Sequence, residues 1–215
     1  MSISSYWPSL LAVYGASLIA FLSPGPNFAG IVSSAVFNRL NGVFVAIGVS
    51  LGTAIWALLA VTGITALLSR YPYAALVMQT IGGSYLLWLG FKSLRSALKK
   101  STPMEVREAS DETRFRSFLK GLFIQLTNPK PALFWLSIVS VAIAPNTPIV
   151  VGLLLVAGVT IIAIIWHLIL AFAFSIEQTR AYYLQARGYI SFAFGIFFIA
   201  LGGRLILDNM IHYWT

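Results

Sequence analysis

The chain contains no cysteine and very little charge. Of its 215 residues only 9% are Asp, Glu, Lys or Arg, whereas a soluble domain has roughly 25%. The absence of cysteine excludes disulfide bonds and thiolate metal sites. The scarcity of charge excludes a soluble domain of this length, because too few polar side chains remain to cover its surface.

Acidic residues are the rarest of the charged ones. The chain has six Asp and Glu residues, and none falls inside an apolar segment, since Glu177 and Asp208 lie at segment ends. A cationic substrate inside the membrane would therefore find no countercharge. Ligand clusters for a divalent metal are also missing, as are a Ser/His/Asp set, paired aspartates and an H-E-x-x-H motif. The sequence thus predicts no enzyme, no metal site and no cofactor.

Apolar sequence, by contrast, is abundant. The hydrophobic fraction is 59% and the mean hydropathy is +0.87. Six segments have the roughly 20 residues that are needed to cross a hydrocarbon core. They are Tyr6–Phe37, Gly42–Leu68, Tyr73–Phe91, Phe118–Ala144, Ile149–Phe174 and Tyr189–Leu207. We therefore predict an all-α membrane protein with six transmembrane helices, the first of which is not a signal peptide because residues 1–22 lack Lys and Arg.

The basic residues are distributed unevenly along this chain of net charge +8. With the N-terminus outside, eleven Lys and Arg residues fall in inner loops and two, Arg70 and Arg204, fall on the outer side. This positive-inside bias predicts that both termini lie outside the cytoplasm. It also accounts for the basic charge without a nucleic-acid partner. The mixed-charge stretch 99–116 is interpreted as a solvated cytoplasmic linker, with a regulatory or partner site as the alternative.

Two proline motifs interrupt the first and the fourth apolar segments. They are Ser23-Pro24-Gly25-Pro26-Asn27 and Thr127-Asn128-Pro129-Lys130-Pro131. Each break frees backbone N–H and C=O groups, which are costly in lipid unless protein or a watery cavity takes them up. Broken helices of this kind usually line transport paths. We therefore predict that the two breaks form part of a substrate pathway.

The two halves of the chain resemble one another. Pro24-Gly25-Pro26 matches Pro129-Lys130-Pro131 at an offset of 105 residues. Gly48-Val49-Ser50, followed by Trp56, matches Gly158-Val159-Thr160, followed by Trp166, at an offset of 110 residues. Leu89-Gly90 matches Leu201-Gly202 at an offset of 112 residues. Because three helices per half is an odd number, the second half would enter the membrane in the opposite direction. This predicts two inverted three-helix repeats, residues 1–98 and 117–215, whose breaks meet at the midplane.

The residues at the breaks are the predicted substrate-binding residues. They are Pro24, Gly25, Pro26, Asn27, Gln125, Asn128, Pro129 and Lys130. Half-helix N-termini carry partial positive charge and free N–H donors, which suit a carboxylate. Lys130 would add a full cation, unless it snorkels to the membrane interface. Asn27 and Asn128 either contact the substrate or satisfy freed backbone groups.

Four further residues and a histidine allow two interpretations each. Gly48 and Gly52 form a G-x-x-x-G pattern, which favours close helix packing or a sliding surface. Trp56 and Trp166 either pack against neighbouring helices or gate the substrate. His167 titrates near neutrality in water and is therefore the candidate for proton coupling, the alternative being a neutral, hydrogen-bonded packing residue.

Taken together, several motifs resemble the LysE/RhtB family of amino-acid exporters. The matching stretches are Leu22 to Phe28, Gly48 to Gly52, Gly82 to Leu86 with Leu89-Gly90, and Leu126 to Lys130. The resemblance implies proton-driven efflux of amino acids or close derivatives across a bacterial inner membrane, with the break residues in the functional core. Exporters of basic amino acids would be expected to have intramembrane acids, whereas Thr53 follows Gly52 here. That departure favours a neutral substrate of the homoserine, threonine or small aliphatic type.

The predicted function is a secondary transporter that exports such amino acids by proton antiport with alternating access. Its termini would be periplasmic, and its partners would be the amino acid, protons and the lipid bilayer, with a homodimer left open. One alternative is an exporter of another small amphipathic organic solute. Another is a non-transporting membrane scaffold, in which the two breaks would be packing kinks.

Overall fold

Helices make up the regular structure of the chain. The computed structural model describes residues 3–70, 74–98, 112–142 and 147–214, and these ranges contain no β-strand. Within them a short 3₁₀ turn, Ile3–Tyr6, is followed by eight α-helices. They are α1 (Trp7–Leu22), α2 (Pro26–Phe37), α3 (Arg39–Arg70), α4 (Ala74–Ala97), α5 (Arg114–Thr127), α6 (Pro129–Ala142), α7 (Ile149–Phe174) and α8 (Glu177–Trp214).

Several of these helices are suited to a membrane. Among the described residues, three stretches are long and apolar enough to cross it alone: Arg39–Gly63, Ile149–Phe174 and Gln185–Asp208. The pair α1 and α2 qualifies together as one span with a bend of 55°. The chain is therefore a helical membrane protein. The described parts of α4, α5 and α6 do not meet the same criterion, so the number of six spans stays a prediction.

The predicted linker falls mostly on residues 99–111, which lie outside the described residues, as do the connections 71–73 and 143–146. α5 begins at Arg114, so the last residues of the predicted linker are already helical. Thr113 caps this helix, because its side-chain oxygen accepts a hydrogen bond from the Arg116 N–H at 3.4 Å. The last three residues of the predicted linker, 114–116, therefore belong to the capped first turn of α5.

Proline chemistry explains the first break. Pro24 and Pro26 have no N–H and cannot continue the hydrogen-bond ladder of α1, which ends at Leu22. Gly25 is extended, with φ −179°, and α2 begins at Pro26. Proline is favourable at the first position of a helix because its missing N–H would have no partner there. The same motif thus ends one helix and starts the next.

The second break is shorter. α5 ends at Thr127, α6 begins at Pro129, and Asn128 between them is extended. Asn128 also caps α6, since its Oδ1 accepts a hydrogen bond from the Lys130 N–H at 3.0 Å. A single residue therefore separates the two half-helices of the fourth apolar segment.

Two apolar clusters hold the helices together. One joins residues of α1, α3, α4, α6, α7 and α8 around the fully buried Trp135 and Phe198. The other joins α2, α3 and α7, where the ring of Phe28 meets that of Phe174 edge-on at 5.2 Å. Because α1 belongs to the first cluster and α2 to the second, the first break lies where the two clusters meet.

α4 and α8 cross in direct backbone contact at two pairs of glycines. A Cβ on Gly83 would lie 3.1 Å from the carbonyl oxygen of Gly202, and a Cβ on Gly90 would lie 2.8 Å from that of Gly195. Such close approach favours glycine. Exchanging the two helices maps one pair onto the other, because Gly195 follows Gly83 by 112 residues and Gly202 follows Gly90 by 112.

α5 also packs on α3 through glycines. A Cβ on Gly121 would lie 2.1 Å from the carbonyl oxygen of Val45, and a Cβ on Gly48 would lie 2.1 Å from that of Phe118. Any side chain at either position would push the two backbones apart. The predicted packing glycine Gly48 therefore lies directly against α5.

The contact of α1 with α7 is looser. The ring of Tyr14 fills the space beside Gly158, where a Cβ would lie 2.5 Å from it, and its hydroxyl donates to the Leu154 carbonyl at 2.7 Å. A Cβ on Gly15 would meet nothing within 4 Å. A tyrosine side chain thus stands between α1 and α7, whereas α5 and α3 meet backbone to backbone.

Candidate functional site

The two proline breaks face each other. Asn128 Nδ2 donates a hydrogen bond to Asn27 Oδ1 at 3.4 Å. The Nζ atom of Lys130 reaches the backbone of the first break, since a Cβ on Gly25 would lie 3.7 Å from it. The structure therefore brings residues of two breaks, about a hundred positions apart in the sequence, into one place.

Two tryptophan indoles take up carbonyl groups that lie just before the breaks. In a continuous helix the Gln125 carbonyl would accept a hydrogen bond from residue 129, but Pro129 has no N–H. Trp56 Nε1 donates to this carbonyl instead, at 3.2 Å. Trp166 Nε1 donates to the Phe21 carbonyl, in the last turn before the first break, also at 3.2 Å. Both tryptophans thus stabilise the end of a broken helix.

The side chain of Gln125 connects the breaks to α3. Asn27 Nδ2 donates to Gln125 Oε1, and Gln125 Nε2 donates to Thr53 Oγ1 at 2.8 Å. Thr53 in turn donates to the Val49 carbonyl at 3.0 Å. Gln125 is only 2% exposed, so these groups form a buried network in which each finds a partner. The network fixes Asn27 at the start of α2.

The start of α2 offers free backbone donors. Its first helical hydrogen bond runs from the Ala29 N–H to the Gly25 carbonyl at 2.9 Å, and no side chain caps the helix. The N–H groups of Asn27 and Phe28 therefore have no partner within α2. Together with the positive end of the helix dipole, these N–H groups beside Lys130 Nζ have the chemistry that suits an anion.

The start of α6 contributes in a different way. Pro129 and Pro131 have no N–H, and the N–H of Lys130 is already bonded to Asn128. The first three residues of α6 therefore have no free N–H donor to offer, but they carry the Lys130 ammonium group. One break supplies N–H groups and the other supplies a cation.

His167 lies beside these groups on α7. Its Nδ1 is 3.0 Å from Ser50 Oγ, and the Ser50 hydroxyl donates to the Ala46 carbonyl at 2.8 Å. The ring of Phe21 covers the imidazole, with 5.3 Å between the ring centres. His167 is thus hydrogen-bonded and buried next to the breaks.

A narrow cavity of about 40 Å³ lies between the breaks. Its lining residues are Ala20, Phe21, Ser23, Gly25, Pro26, Asn27, Gln125, Asn128, Lys130, Pro131, Phe134, Trp135 and His167. No Asp or Glu is among these described residues, and the described parts of the chain contain no group of three His, Asp or Glu side chains that could hold a metal. The space has room for a few water molecules only, so a small solute needs the cavity to widen before it can place a carboxylate at Lys130 and an apolar part against the aromatic rings.

The structure places the predicted site residues in three positions. Those that line the cavity are Gly25, Pro26, Asn27, Gln125, Asn128, Lys130 and His167. Gly52 and Trp56 lie on the face of α3 that meets α5, where a Cβ on Gly52 would be 2.6 Å from Gln125 Cγ. Pro24 lines an adjoining cavity, and Pro129 begins α6.

Sequence reasoning did not assign several residues that the structure brings to this region. They are Phe21, Phe134 and Trp135 in the cavity wall and the hydroxyl groups of Ser50 and Thr53. Aromatic residues are frequent in every apolar segment, so their presence alone singles out none of them. Helical spacing is a usable signal for Thr53, because it lies three residues before Trp56 on the same face of α3, where both side chains reach Gln125.

The sequence model of the LysE type translocator family matches residues 18–209. This range contains both breaks and every residue of the cavity wall. The chain belongs to the LysE type translocator family. The resemblance of its motifs to this family is thereby confirmed, and the translocator is a transport protein rather than an enzyme, as predicted.

Relatives of this translocator cover nearly its whole length. The uncharacterized membrane protein YahN of Escherichia coli K12 is 31% identical over 207 residues, which cover 94% of this chain and 92% of YahN. The threonine efflux protein of Escherichia coli K12 is 29% identical over 203 residues, covering 93% and 98%. An uncharacterized membrane protein of Haemophilus influenzae is 30% identical over 203 residues, covering 91% and 96%. No solved structure matches this translocator.

Proposed function

We propose that the translocator exports neutral amino acids or close derivatives, of the homoserine, threonine or small aliphatic type, across the bacterial inner membrane. The observation that carries this proposal is the position of Lys130 Nζ, beside Gly25 and the free N–H groups of α2. A carboxylate fits these donors, whereas a cationic side chain finds no acidic residue among the described residues of the cavity wall. The threonine efflux relative supports the same class of substrate.

The two ends of an amino acid would bind to different backbone ends. The carboxylate would accept hydrogen bonds from the N–H groups of Asn27 and Phe28 and pair with Lys130. The ammonium group would bind carbonyl oxygens at the C-terminal end of α1, where the Ala20 carbonyl has lost its helical donor because Pro24 has no N–H. A small side chain would then pack against the aromatic wall.

Counterflow in proteoliposomes tests the substrate class. Purified translocator is reconstituted into liposomes, and separate batches of these are loaded with threonine, homoserine, leucine or lysine. The uptake of the same amino acid in radiolabelled form is then measured. We expect counterflow of the neutral amino acids, since they bring a carboxylate without a second positive charge. Counterflow of lysine alone would overturn the proposal.

We further propose that six spans form two inverted repeats that alternate access to the cavity. The α4 and α8 glycine pairs that map onto each other support the repeat, as do the two tryptophans, each of which donates to a carbonyl in the last turn before the break of the other half. The positive-inside bias supports periplasmic termini. Accessibility of single cysteines to a membrane-impermeant thiol reagent from each side would test the orientation, and the cysteine-free chain makes each such variant specific.

Proton antiport is proposed to act through His167. Its imidazole lines the cavity together with Lys130, the described ionisable group that shares the same wall. His167→Ala should abolish transport driven by a pH gradient and retain exchange of substrate for substrate, because exchange needs no net proton movement. Unchanged pH-driven transport by His167→Ala would exclude this role.

A second candidate function is export of another amphipathic organic solute. The aromatic wall formed by Phe21, Phe134 and Trp135 favours this alternative, because it would accept a larger apolar group. Competition of such solutes with threonine counterflow separates the two functions. A mere scaffold is distinguished by Asn27→Cys and Asn128→Cys, which should react with polar thiol reagents in a transporter and stay inert in a scaffold.

A further inference from the structure

A second cavity adjoins the first. It measures about 420 Å³ and shares part of its wall with the first cavity. The shared residues are Gly25, Pro26, Asn128 and Lys130. A solute in the second cavity would therefore pass Lys130 on its way into the first. We call this second cavity the vestibule.

The vestibule wall carries its own cation. Lys92, at the end of α4, lines it with an exposed side chain, and its Nζ lies 4.7 Å from the ring centre of Trp88. Lys92 forms no ion pair with any residue that the structure describes, and no Asp or Glu of the described chain lines the vestibule. The ring of Trp88 holds the ammonium group in place by a cation–π contact, which leaves its charge uncompensated.

Hydroxyl groups accompany this cation. Ser93 and Ser96 on α4 and Ser191 on α8 line the same wall. Ser191 is only 3% exposed. A hydroxyl group on a cavity wall can donate a hydrogen bond to a bound anion. The vestibule thus combines one free cation with hydroxyl donors.

We propose that Lys92 and these serine hydroxyls form a waiting site for the substrate's carboxylate, from which it passes to Lys130. The proposal rests on the proposed function for the identity of the substrate. Carboxylates suit the site because a cation and hydroxyl donors bind them without a countercharge. Lys92 and Lys130 both line the vestibule, so a carboxylate leaving Lys92 meets a second cation before it reaches the free N–H groups of α2.

Snorkelling of a basic side chain at the membrane interface is the plain alternative for Lys92. Arg95 lies one turn further along α4, is exposed, and is not among the residues of the vestibule wall. It therefore serves as the matched control, because snorkelling would give both residues the same role. Only a binding role distinguishes Lys92 from Arg95.

Chemical protection tests the site without transport. The full-length protein in detergent is treated with an anionic amine-reactive sulfonate, in sodium acetate or in sodium chloride of equal ionic strength. Modification of each lysine is then followed by mass spectrometry. Acetate should slow the modification of Lys92 and leave that of Lys120, which pairs with Glu112, unchanged. Equal modification of Lys92 in both salts would overturn the proposal.

Transport kinetics then test the path. For threonine counterflow we expect Lys92→Gln to raise KM about tenfold with an unchanged saturating rate, whereas Lys92→Arg and Arg95→Gln stay near wild type. The KM of Lys92→Gln should also depend less on salt than that of wild type. Equal changes in Lys92→Gln and Arg95→Gln, or none in either, would refute the waiting site. If the wild type moves no amino acid, the proposed function fails, while acetate protection still decides whether Lys92 binds carboxylates.

Discussion

Lys130 is the residue whose charge the proposed carboxylate site needs most. Lys130→Gln removes the ammonium group and keeps a hydrogen-bond donor on a similar stem. A hydrogen bond to a charged group contributes about 1.5–3 kcal/mol, so KM in threonine counterflow should rise roughly 10- to 150-fold. Lys130→Arg keeps the charge and should lose less activity.

A distant basic residue provides the control for this prediction. Arg204 on α8 has a side chain that is 81% exposed and pairs with Asp208 at 3.6 Å. Arg204→Gln should leave KM unchanged, because the substitution alters charge away from the cavity. A wild-type KM in Lys130→Gln would contradict the proposed role of Lys130.

Gln125 should matter for stability as well as for binding. Gln125→Leu would leave Asn27 Nδ2 without its Gln125 partner, whereas the Thr53 hydroxyl keeps its hydrogen bond to the Val49 carbonyl. An unsatisfied buried donor costs about 1–3 kcal/mol, so the unfolding temperature in detergent should fall by several degrees. The exposed Gln185→Leu is the matched control and should leave it unchanged. Equal unfolding temperatures for the two variants would show that the network adds no stability.

At the scale of single residues, the sequence reveals which backbone groups lose their helical hydrogen-bond partner, but not which group replaces that partner. Pro129 removes the donor of the Gln125 carbonyl, and this follows from the sequence alone. That Trp56 supplies the new donor depends on where α3 packs against α5, which the periodicity of α3 does not determine. The clustering of Asn27, Asn128 and Lys130 could be predicted because two rare motifs in one membrane protein have few other places to meet.

At the scale of helices, the close contact of α5 with α3 can be tested by adding one methyl group. Gly121→Ala would place a carbon 2.1 Å from the Val45 carbonyl oxygen, so the helices must separate. Overpacking of this kind costs about 1–3 kcal/mol, and we expect a lower unfolding temperature in detergent.

The first half offers the matched substitution. Gly15→Ala makes the same change in α1, 106 residues earlier, where a Cβ would meet nothing within 4 Å. Its unfolding temperature should equal that of the wild type. A loss of stability as large as that of Gly121→Ala would mean that glycine is needed for helix flexibility and not for close packing.

The ends of a helix could be predicted where a proline or polar residues stop it, but not where the helix continues beyond the apolar segment. The predicted segment Ile149–Phe174 has the same bounds as α7, because Pro148 precedes its start and polar residues follow its end. The predicted segment Tyr189–Leu207 is shorter than α8, which runs from Glu177 to Trp214. Hydropathy marks the part of a helix that suits a bilayer, whereas backbone hydrogen bonding continues into polar sequence beyond it.

For the whole molecule, the vestibule lies between α2 and α8, because its wall includes Pro26 of α2 and Ser191 of α8. If the halves exchange conformations, α1 would pack on α7 as α5 now packs on α3, and α2 would close on α8. Threonine should then shorten the distance between spin labels at Phe37→Cys on α2 and Phe192→Cys on α8, or broaden the distribution of that distance. Both native side chains are exposed, and the chain has no other cysteine.

A label pair across α4 and α8 supplies the reference for that measurement. Phe91→Cys and Ile196→Cys lie on helices that meet through their glycines, and both native side chains are exposed. Their distance should stay the same with and without threonine. Equal changes in both pairs would indicate a general loosening of the protein instead of an exchange of conformations.

The glycine crossing of α4 and α8 would then be the fixed point of the transport cycle. When the two halves exchange conformations, each glycine pair of this crossing takes the place of the other, so the contacts are the same before and after. These glycines, Gly83, Gly90, Gly195 and Gly202, therefore need to suit only one environment. Tyr14 would have to suit two, one beside Gly158 and one with α1 drawn closer to α7. Selection on the crossing can therefore act through packing alone, while selection on Tyr14 must balance two states against each other.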